Sequence, residues 1–292
     1  MQVLQTPFRK VVIPAAGMGK RLLPVTKEIP KEMLPIAIRT SSGILLKPIL
    51  QGVYEQLYSV GLRDFCFIVG RGKREIEDHF SPDWAFLENV EDSIWRTDLE
   101  RFFKELETSR VYFVNQARRR GFGDAVLHSE KFVGDDSFII HAGDDLVLSK
   151  GGSHLLDLAR TYYERNAEAV LMVQEVHDPS SYGVVVGEPI SQRVLAVKEI
   201  EEKPQKPKSR LAVIAIYAFN PSIFDAIKAS KPDSSGELQL TSALQLMLKQ
   251  RKKILAVKLR PNEVRIDIGN PESYIHSLTH ARRGLLLGRA KV

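Results

Sequence analysis

A mixed, mostly parallel α/β sheet flanked by helices, with a smaller β-rich region in the second half, is the fold class predicted by the 292-residue sequence. Short β-branched and aromatic runs alternate with helix-patterned segments through the first half, which points to parallel strands joined by right-handed crossovers. Four strand-like runs then follow one another between residues 169 and 219, with turn residues between them. A content of 43% hydrophobic and 27% charged residues is ordinary for a globular chain, and the length can bury a substantial core.

The elements follow in order. "KVVIPAA" (10–16) reads as a buried strand, and "KPILQGVYEQLYSVG" (47–61) as an amphipathic helix closed by a C-terminal glycine. "DFCFIVG" (64–70) is a second strand. The stretch from Asp83 to Ser109 reads as helical, rich in i,i+4 charge pairs. "RVYFVNQ" (110–116), a short helix through "AVLHSEKF" (125–132) and the strand "SFIIHAGDD" (137–145) continue the alternation. After a helix at 153–166 come "AVLMVQEV", "YGVVVGE", "VLAVKEIEEK" and "RLAVIAIYAF", all strand-like. "KPQKPKS" (203–209) is a polar, proline-broken exposed loop. Helical patterns at 221–229 and 238–250, strands in "KILAVKL" and "VRIDIGN", and a final helix from 271 to about 284 complete the order. The change of pattern near residue 150 marks a subregion, not a separable domain.

The formal charge is +6, from 42 Lys and Arg against 36 Asp and Glu. It suits an anionic partner without naming one: a metabolite phosphate, a nucleic acid or a membrane surface. Cys66 is the single cysteine, so a disulfide or a cysteine-rich zinc site is excluded, which agrees with a reducing compartment. It reads as a small core residue. The longest apolar stretches are about half of the ~20 residues that a membrane span needs. "FRKVVIPAAG" is too short and too broken by Pro14 for a signal peptide. "RRR" (118–120) lacks the interleaved aromatics or extended basic stripe of a nucleic-acid binder, and reads as a solvated loop that helps attract polyanions. A cytoplasmic protein with neither a membrane nor a nucleic-acid partner is expected.

"VVIPAAGMGKRLLPVTKEIPKEMLPI" (11–36) is less ordinary. A helix cannot run through Pro24, Pro30 and Pro35, since each lacks an N–H and restricts the residue before it. Lys20, Arg21, Lys27 and Lys31 therefore sit on an extended loop directly after a buried strand. Two familiar phosphate loops are rejected. A Walker A loop needs a hydroxyl residue after Gly19-Lys20, where Arg21 stands. A dinucleotide fingerprint needs a third glycine opening a helix, whereas Leu22 is followed by Pro24 two residues on. Gly17 and Gly19 let main-chain N–H groups approach a ligand, and Arg21, Lys27 and Lys31 can then close on several phosphates.

"GMGKRLLPVTKEIPKEMLPI" resembles the signature of the sugar-1-phosphate nucleotidylyltransferase family, nearest its uridylyltransferase branch. "QARRRGFGDAV" (116–126), "HAGDD" (141–145), "SYGVV" (181–185), "EEKP" (201–204), "GELQLTSAL" (236–244) and "IDIGNPESY" follow in family order along nearly the whole chain. The insertion at 83–109 and the Thr26-Lys27 pair are similar to the uridylyltransferases; the thymidylyltransferase relatives typically lack that insertion. The resemblance implies one GT-A-like nucleotidyltransferase domain over 1–292. A Rossmann-like nucleotide-binding part would cover about 1–150, and a sugar-binding part with C-terminal helices about 151–292. It also implies Mg²⁺-dependent transfer of UMP from UTP to glucose 1-phosphate, by a homo-oligomer (dimer or tetramer). The alternatives are the same chemistry with dTTP or another hexose 1-phosphate, or a nucleotide-sugar-binding regulatory subunit without turnover. Retention of Arg21, Lys31, Asp144, Asp267 and Lys203 argues against the last.

In such a reaction the nucleophile is a phosphate monoester, already carrying a charge of about −1.5 to −2 near neutral pH, so no general base is required. The obstacle is the meeting of two polyanions, which cations and a metal must overcome. By resemblance, Arg21 contacts the β,γ-phosphates, Lys31 bridges the α-phosphate and the departing pyrophosphate, and Lys27 helps. Asp144 follows the apolar strand "SFIIHAG", whose carboxyl end faces the ligand crevice of an open α/β sheet. Asp267 ends "VRI" in the same way. The resemblance assigns both to Mg²⁺, which prefers oxygen ligands; Asp145 reads as a turn or cap residue. Gln116 offers a donor and an acceptor together, matching N3–H and a carbonyl of uracil or thymine. The backbones of Ala16, Gly17 and Gly19, with Gly121 near the base, complete the implied nucleotide pocket. Glu202 is expected to accept from sugar hydroxyls, Lys203 to pair with the sugar phosphate, and Gly183 to leave room for the hexose. On a regular strand Glu202 and Lys203 would point to opposite faces, so both serve only if the backbone bends before Pro204. Glu237 is left to cap the following helix. Two positions depart from the family: Lys20 where threonine is common, and Asp124 where the uridylyltransferases commonly have histidine.

Overall fold

The computed structural model describes residues 6–40 and 43–282. Among them the strands are β1 (Lys10–Pro14), β2 (Pro35–Thr40), β3 (Gly43–Pro48), β4 (Asp64–Val69), β5 (Arg110–Asn115), β6 (Phe138–His141), β7 (Asp145–Leu148), β8 (Ala169–Glu175), β9 (Gly183–Pro189), β10 (Val194–Glu202), β11 (Leu211–Phe219), β12 (Ile254–Lys258) and β13 (Val264–Asp267). The helices are α1 (Ile49–Ser59), α2 (Arg74–His79), α3 (Trp84–Glu88), α4 (Ser93–Glu107), α5 (Phe122–Leu127), α6 (Glu130–Val133), α7 (Ser153–Glu164), α8 (Ser222–Ala229), α9 (Leu240–Lys249) and α10 (Pro271–Arg282).

Nine strands form one sheet in the order β5-β4-β1-β6-β11-β8-β12-β10-β9. Strands β5, β4, β1 and β6 are mutually parallel, as expected for the first half. Beyond β6 only β12 and β8 pair in parallel; β11 joins both β6 and β8 antiparallel, and β10 does the same with β12 and β9. The parallel majority thus belongs to the N-terminal half, because the C-terminal strands are linked mainly by turns rather than by helical crossovers.

Side chains alternate across this sheet, and helices cover both faces. Val11 and Ile13 of β1 join Phe65 and Phe67 of β4 under α1, α4 and α7. Val12, Cys66 and Ile68 turn to the other face, under α5, α8 and α9. Cys66 is a core residue, and burial pushes its thiol up to about 12, which leaves it unreactive.

Several elements differ from expectation. An unexpected hairpin pairs β2 with β3 and takes Lys47 and Pro48 from the expected helix 47–61, so α1 begins only after Pro48. The helical stretch from Asp83 is two helices, α3 and α4, each opened by an aspartate that accepts main-chain N–H groups, Asp83 and Asp92. The helix expected over 125–132 is α5 and α6, separated at His128 and Ser129. Strand "SFIIHAGDD" ends at His141, and Asp145 opens β7, which pairs antiparallel with β13. The last two residues expected of the final helix lie outside the described residues.

Candidate active site

Two cavities open along the carboxyl ends of the parallel strands, of about 430 and 470 Å³, and they share Arg21, Phe122, Ala142, Asp144, Glu237 and Gly269. One is lined by the loop after β1 and by Gln116 and Gly121. The other is lined by Tyr182, Gly183, Glu202, Lys203 and Asp267.

The loop after β1 leaves the sheet where Ala15 N–H donates to Ile68 O at 2.8 Å. Its prolines restrict it to short 3₁₀ turns at Lys20–Leu22, Val25–Lys27 and Lys31–Met33. Gly19 adopts φ +63°, and a Cβ there would lie 3.0 Å from the Thr26 side chain, whose hydroxyl donates to Gly19 O at 2.8 Å. Lys31 folds back over the loop, its Cε 3.5 Å from where a Cβ on Gly17 would stand, an ordinary contact distance. Ala16, Gly17, Gly19, Lys20, Arg21 and Lys31 all line the first cavity. Lys27 is not brought there: its side chain is 77% exposed and lies 3.4 Å from Glu28, because Thr26 is the residue this turn buries.

Where the cavities meet, Lys31 Nζ donates to Asp144 Oδ2. Burial alone would lower the lysine's pKa, but Asp144 and Glu32 outweigh it and raise it above the ordinary 10.5. Burial would likewise raise Asp144, yet the Lys31 ammonium holds it below 3.8. Asp267 faces Asp145 in the register of the β13–β7 ribbon. Burial raises its pKa above 3.8, and the Asp145 and Asp144 carboxylates add to that against the Arg265 charge. Asp267 Oδ1 accepts Gly269 N–H at 2.8 Å, and Tyr182 O–H donates to Oδ2 at 3.4 Å. A Cβ on Gly269 would lie 2.9 Å from Asp267 Oδ1 and 3.4 Å from Arg21 Nη2, so this glycine admits both groups.

No group of three or more His, Cys, Asp and Glu among the described residues could hold a metal by itself. Asp144 and Asp267 offer oxygen donors at one cavity wall. Such a pair fits Mg²⁺, which is commonly bound by one or two carboxylates plus substrate phosphates.

In the second cavity Lys203 has φ +43°, a left-handed conformation that is uncommon for a non-glycine residue. The strand therefore bends where both side chains needed it to, and Glu202 and Lys203 line the same cavity. Lys203 Nζ lies 3.2 Å from Glu202 Oε1, while Thr241 O–H donates to Glu202 Oε2 at 3.1 Å. A Cβ on Gly183 would approach Thr241 Cγ2 at 3.1 Å and Glu202 Oε2 at 3.5 Å.

Other contributors were not singled out by the sequence. Asp145 is neither turn nor cap: it is buried in β7 and accepts two hydrogen bonds from Arg265 Nε, at 2.9 and 2.8 Å. Arg265 stands two residues before Asp267 on one strand, and this spacing alone would have put both on one face. Arg119 is not simply solvated: it donates to Ala16 O at 2.7 Å and to Arg71 O at 2.8 Å, clamping the glycine loop. Glu237 does not cap α9, whose N-cap position is Gln239; it accepts from Gln239 Nε2 at 3.0 Å and lines both cavities.

A sheet whose strand ends carry a glycine-rich basic loop on one side and a paired-carboxylate ribbon on the other defines a protein that handles phosphates. The chain belongs to the nucleotidyl transferase family, whose model matches residues 10–283. It is 38% identical over 284 residues to the UTP–glucose-1-phosphate uridylyltransferase of Mycoplasma genitalium, covering 93% of this chain and 91% of that one. To the Pseudomonas aeruginosa protein of the same name it is 33% identical over 278 residues, covering 92% and 94%. A crystal structure of UDP-glucose pyrophosphorylase complexed with UDP-glucose superposes with a TM-score of 0.82 at 32% identity, covering 94% of this chain and 99% of that one. No helix among the described residues is long and apolar enough to cross a membrane.

Proposed function

We propose that this chain transfers UMP from UTP to glucose 1-phosphate, giving UDP-glucose and pyrophosphate, with Mg²⁺ as cofactor. The observation that carries the reading is the pair of adjoining cavities, one lined by the nucleotide residues and one by the sugar residues, meeting at Arg21 and Asp144. An oxygen of the sugar phosphate attacks the α-phosphorus of UTP, and the bond from that phosphorus to the β-phosphate oxygen breaks. The electron pair leaves with pyrophosphate. In this scheme Gln116, Gly121 and the backbones of Ala16 and Gly17 hold the base. Gly19 and Arg21 receive the β,γ-phosphates.

Lys31, held over Gly17 and kept protonated, meets the negative charge that grows on the α-phosphate and the leaving group. Lys203 aligns the attacking phosphate, Glu202 accepts from sugar hydroxyls and Gly183 leaves space for the ring. Mg²⁺ on Asp144 and Asp267 would supply charge neutralisation at the phosphate oxygens. Catalysis in this scheme rests on positioning and fixed charge, with no general base. The name of the Mycoplasma relative and the UDP-glucose complex support these substrates.

Homo-oligomerisation belongs to the same proposal, with apolar surface supplied by Leu46 of the hairpin and Ile275 of α10, exposed by 70% and 63%. The test is ³¹P NMR of the purified protein with UTP, glucose 1-phosphate and Mg²⁺. Equal amounts of UDP-glucose and pyrophosphate are expected, and UTP hydrolysis to UMP without UDP-glucose would refute the transfer.

A further inference from the structure

We propose that Asp124 is a positioning residue that fixes which face of the Gln116 amide meets the nucleobase, and thereby sets a preference for uracil or thymine over cytosine. This rests on the nucleotidyl-transfer reading above and names the specificity element of that same site.

Gln116 follows β5, is buried, and lines the nucleotide cavity. Its Nε2 donates to Asp124 Oδ2 at 2.7 Å and to Gly121 O at 3.3 Å. An ionised carboxylate can only accept, so the amino group of the amide must be the one facing Asp124. Both amide hydrogens are thus committed within the protein. Oε1 takes no protein hydrogen bond among the described residues and is left to a ligand. Asp124 is itself buried in α5, with Arg120 Nη2 3.3 Å from its Oδ1. The free amide expected of Gln116, donor and acceptor together, is reduced to an acceptor alone.

An acceptor facing N3 has a simple consequence. Uracil and thymine carry N3–H and donate to it. Cytosine presents a lone pair at N3, so two acceptors face each other and a buried polar group goes unpaired. A site of this kind discriminates by about a hundredfold or more. Asparagine at position 124 would weaken the constraint, since either end of its amide can face Gln116 and only the longer 3.3 Å contact to Gly121 O would then oppose turning the glutamine over to offer Nε2 to cytosine.

The experiment compares UTP with CTP as substrates, and UMP with CMP by titration calorimetry, for the wild type, Asp124→Asn and Asp124→Glu. The wild type should prefer UTP by about a hundredfold or more in kcat/KM and UMP correspondingly in affinity. Asp124→Asn should lower both preferences by at least about tenfold, chiefly through tighter cytosine-nucleotide binding, with KM for glucose 1-phosphate unchanged. Asp124→Glu keeps an acceptor-only carboxylate and should keep the preference. If the asparagine variant does not fold, Asp124→Ser carries the same comparison. Equal binding of UMP and CMP by the wild type, or an unaltered preference in Asp124→Asn, overturns the proposal. Loss of UTP turnover in the wild type with nucleotide discrimination intact would refute the transfer reaction and leave the role of Asp124 standing.

Discussion

Lys31 and Asp144 form an ion pair at the seam of the two cavities, with side chains 20% and 19% exposed. Residues 113 positions apart are joined there, one from the proline-rich loop after β1 and one from the turn between β6 and β7. The pair holds a cation and an anion ready, each stabilised by the other, where triphosphate and sugar phosphate would meet.

Asp144→Asn should therefore cut turnover by at least about a hundredfold, because it removes a carboxylate while preserving shape. Partial solvent access keeps the cost to the fold at about 2 kcal/mol or less, a shift in Tm of a few degrees. Steady-state kinetics beside a thermal melt checks this. Near-normal turnover with Mg²⁺ still required would take Asp144 out of the mechanism.

Lys203 separates backbone strain from chemistry. Glycine is at home at φ +43°, so Lys203→Gly should stay within about 1 kcal/mol of wild-type stability. Its KM for glucose 1-phosphate should rise about tenfold or more while KM for UTP holds, since only the sugar phosphate loses its partner. An unchanged sugar-phosphate KM would contradict that assignment.

At Gly121 the backbone has φ +106° and a Cβ would lie 2.6 Å from Leu238 O. Leu238 N–H donates to Arg120 O at 2.6 Å and its carbonyl accepts Gly123 N–H at 2.8 Å, so this contact cannot open without breaking both. Gly121→Ala should lose about 2 kcal/mol or more and weaken UTP binding, read by chemical denaturation and by nucleotide titration. Wild-type values in both would show the loop to be slack.

Asp157 on α7 provides a pH signature remote from the cavities. Burial pushes its carboxyl up, but hydrogen bonds from Arg193 at 2.7 Å and from Arg260 at 2.8 and 2.9 Å outweigh it and hold the pKa below 3.8. A depressed acid stabilises the fold above its unfolded-state pKa and loses that contribution as pH falls through the folded-state value. The gap in melting temperature between wild type and Asp157→Asn should be widest near neutrality and shrink below about pH 4. A gap constant down to pH 2.5 would mean that Asp157 acts through packing alone.

Much of this was legible in the sequence. Short continuous apolar runs marked β1, β4, β6 and β11, and prolines excluded a helix from the loop after β1. Arg21, Lys31, Asp144, Asp267, Glu202 and Lys203 were all singled out, and all line the two cavities. What escaped depends on long-range pairing. The β7–β13 ribbon joins segments about 120 residues apart, so neither the burial of Asp145 nor its Arg265 partner has a local signal. The hairpin was hidden because Pro35, its first residue, read as part of the proline-broken loop and Pro48, its last, as part of the helix. Lys27 carried the right charge in the right motif, yet the turn buries Thr26 and leaves the lysine outward.

The central claim meets its most direct test in pyrophosphate release by the purified protein with Mg²⁺ and glucose 1-phosphate, offered UTP, dTTP, CTP, ATP and GTP separately. Fast release with UTP, slower release with dTTP and little with the others is the expected result. Release at equal or higher rate with dTTP would keep the chemistry and contradict the uridylyl assignment. Silence with every nucleotide, repeated with other hexose 1-phosphates, would contradict catalysis itself.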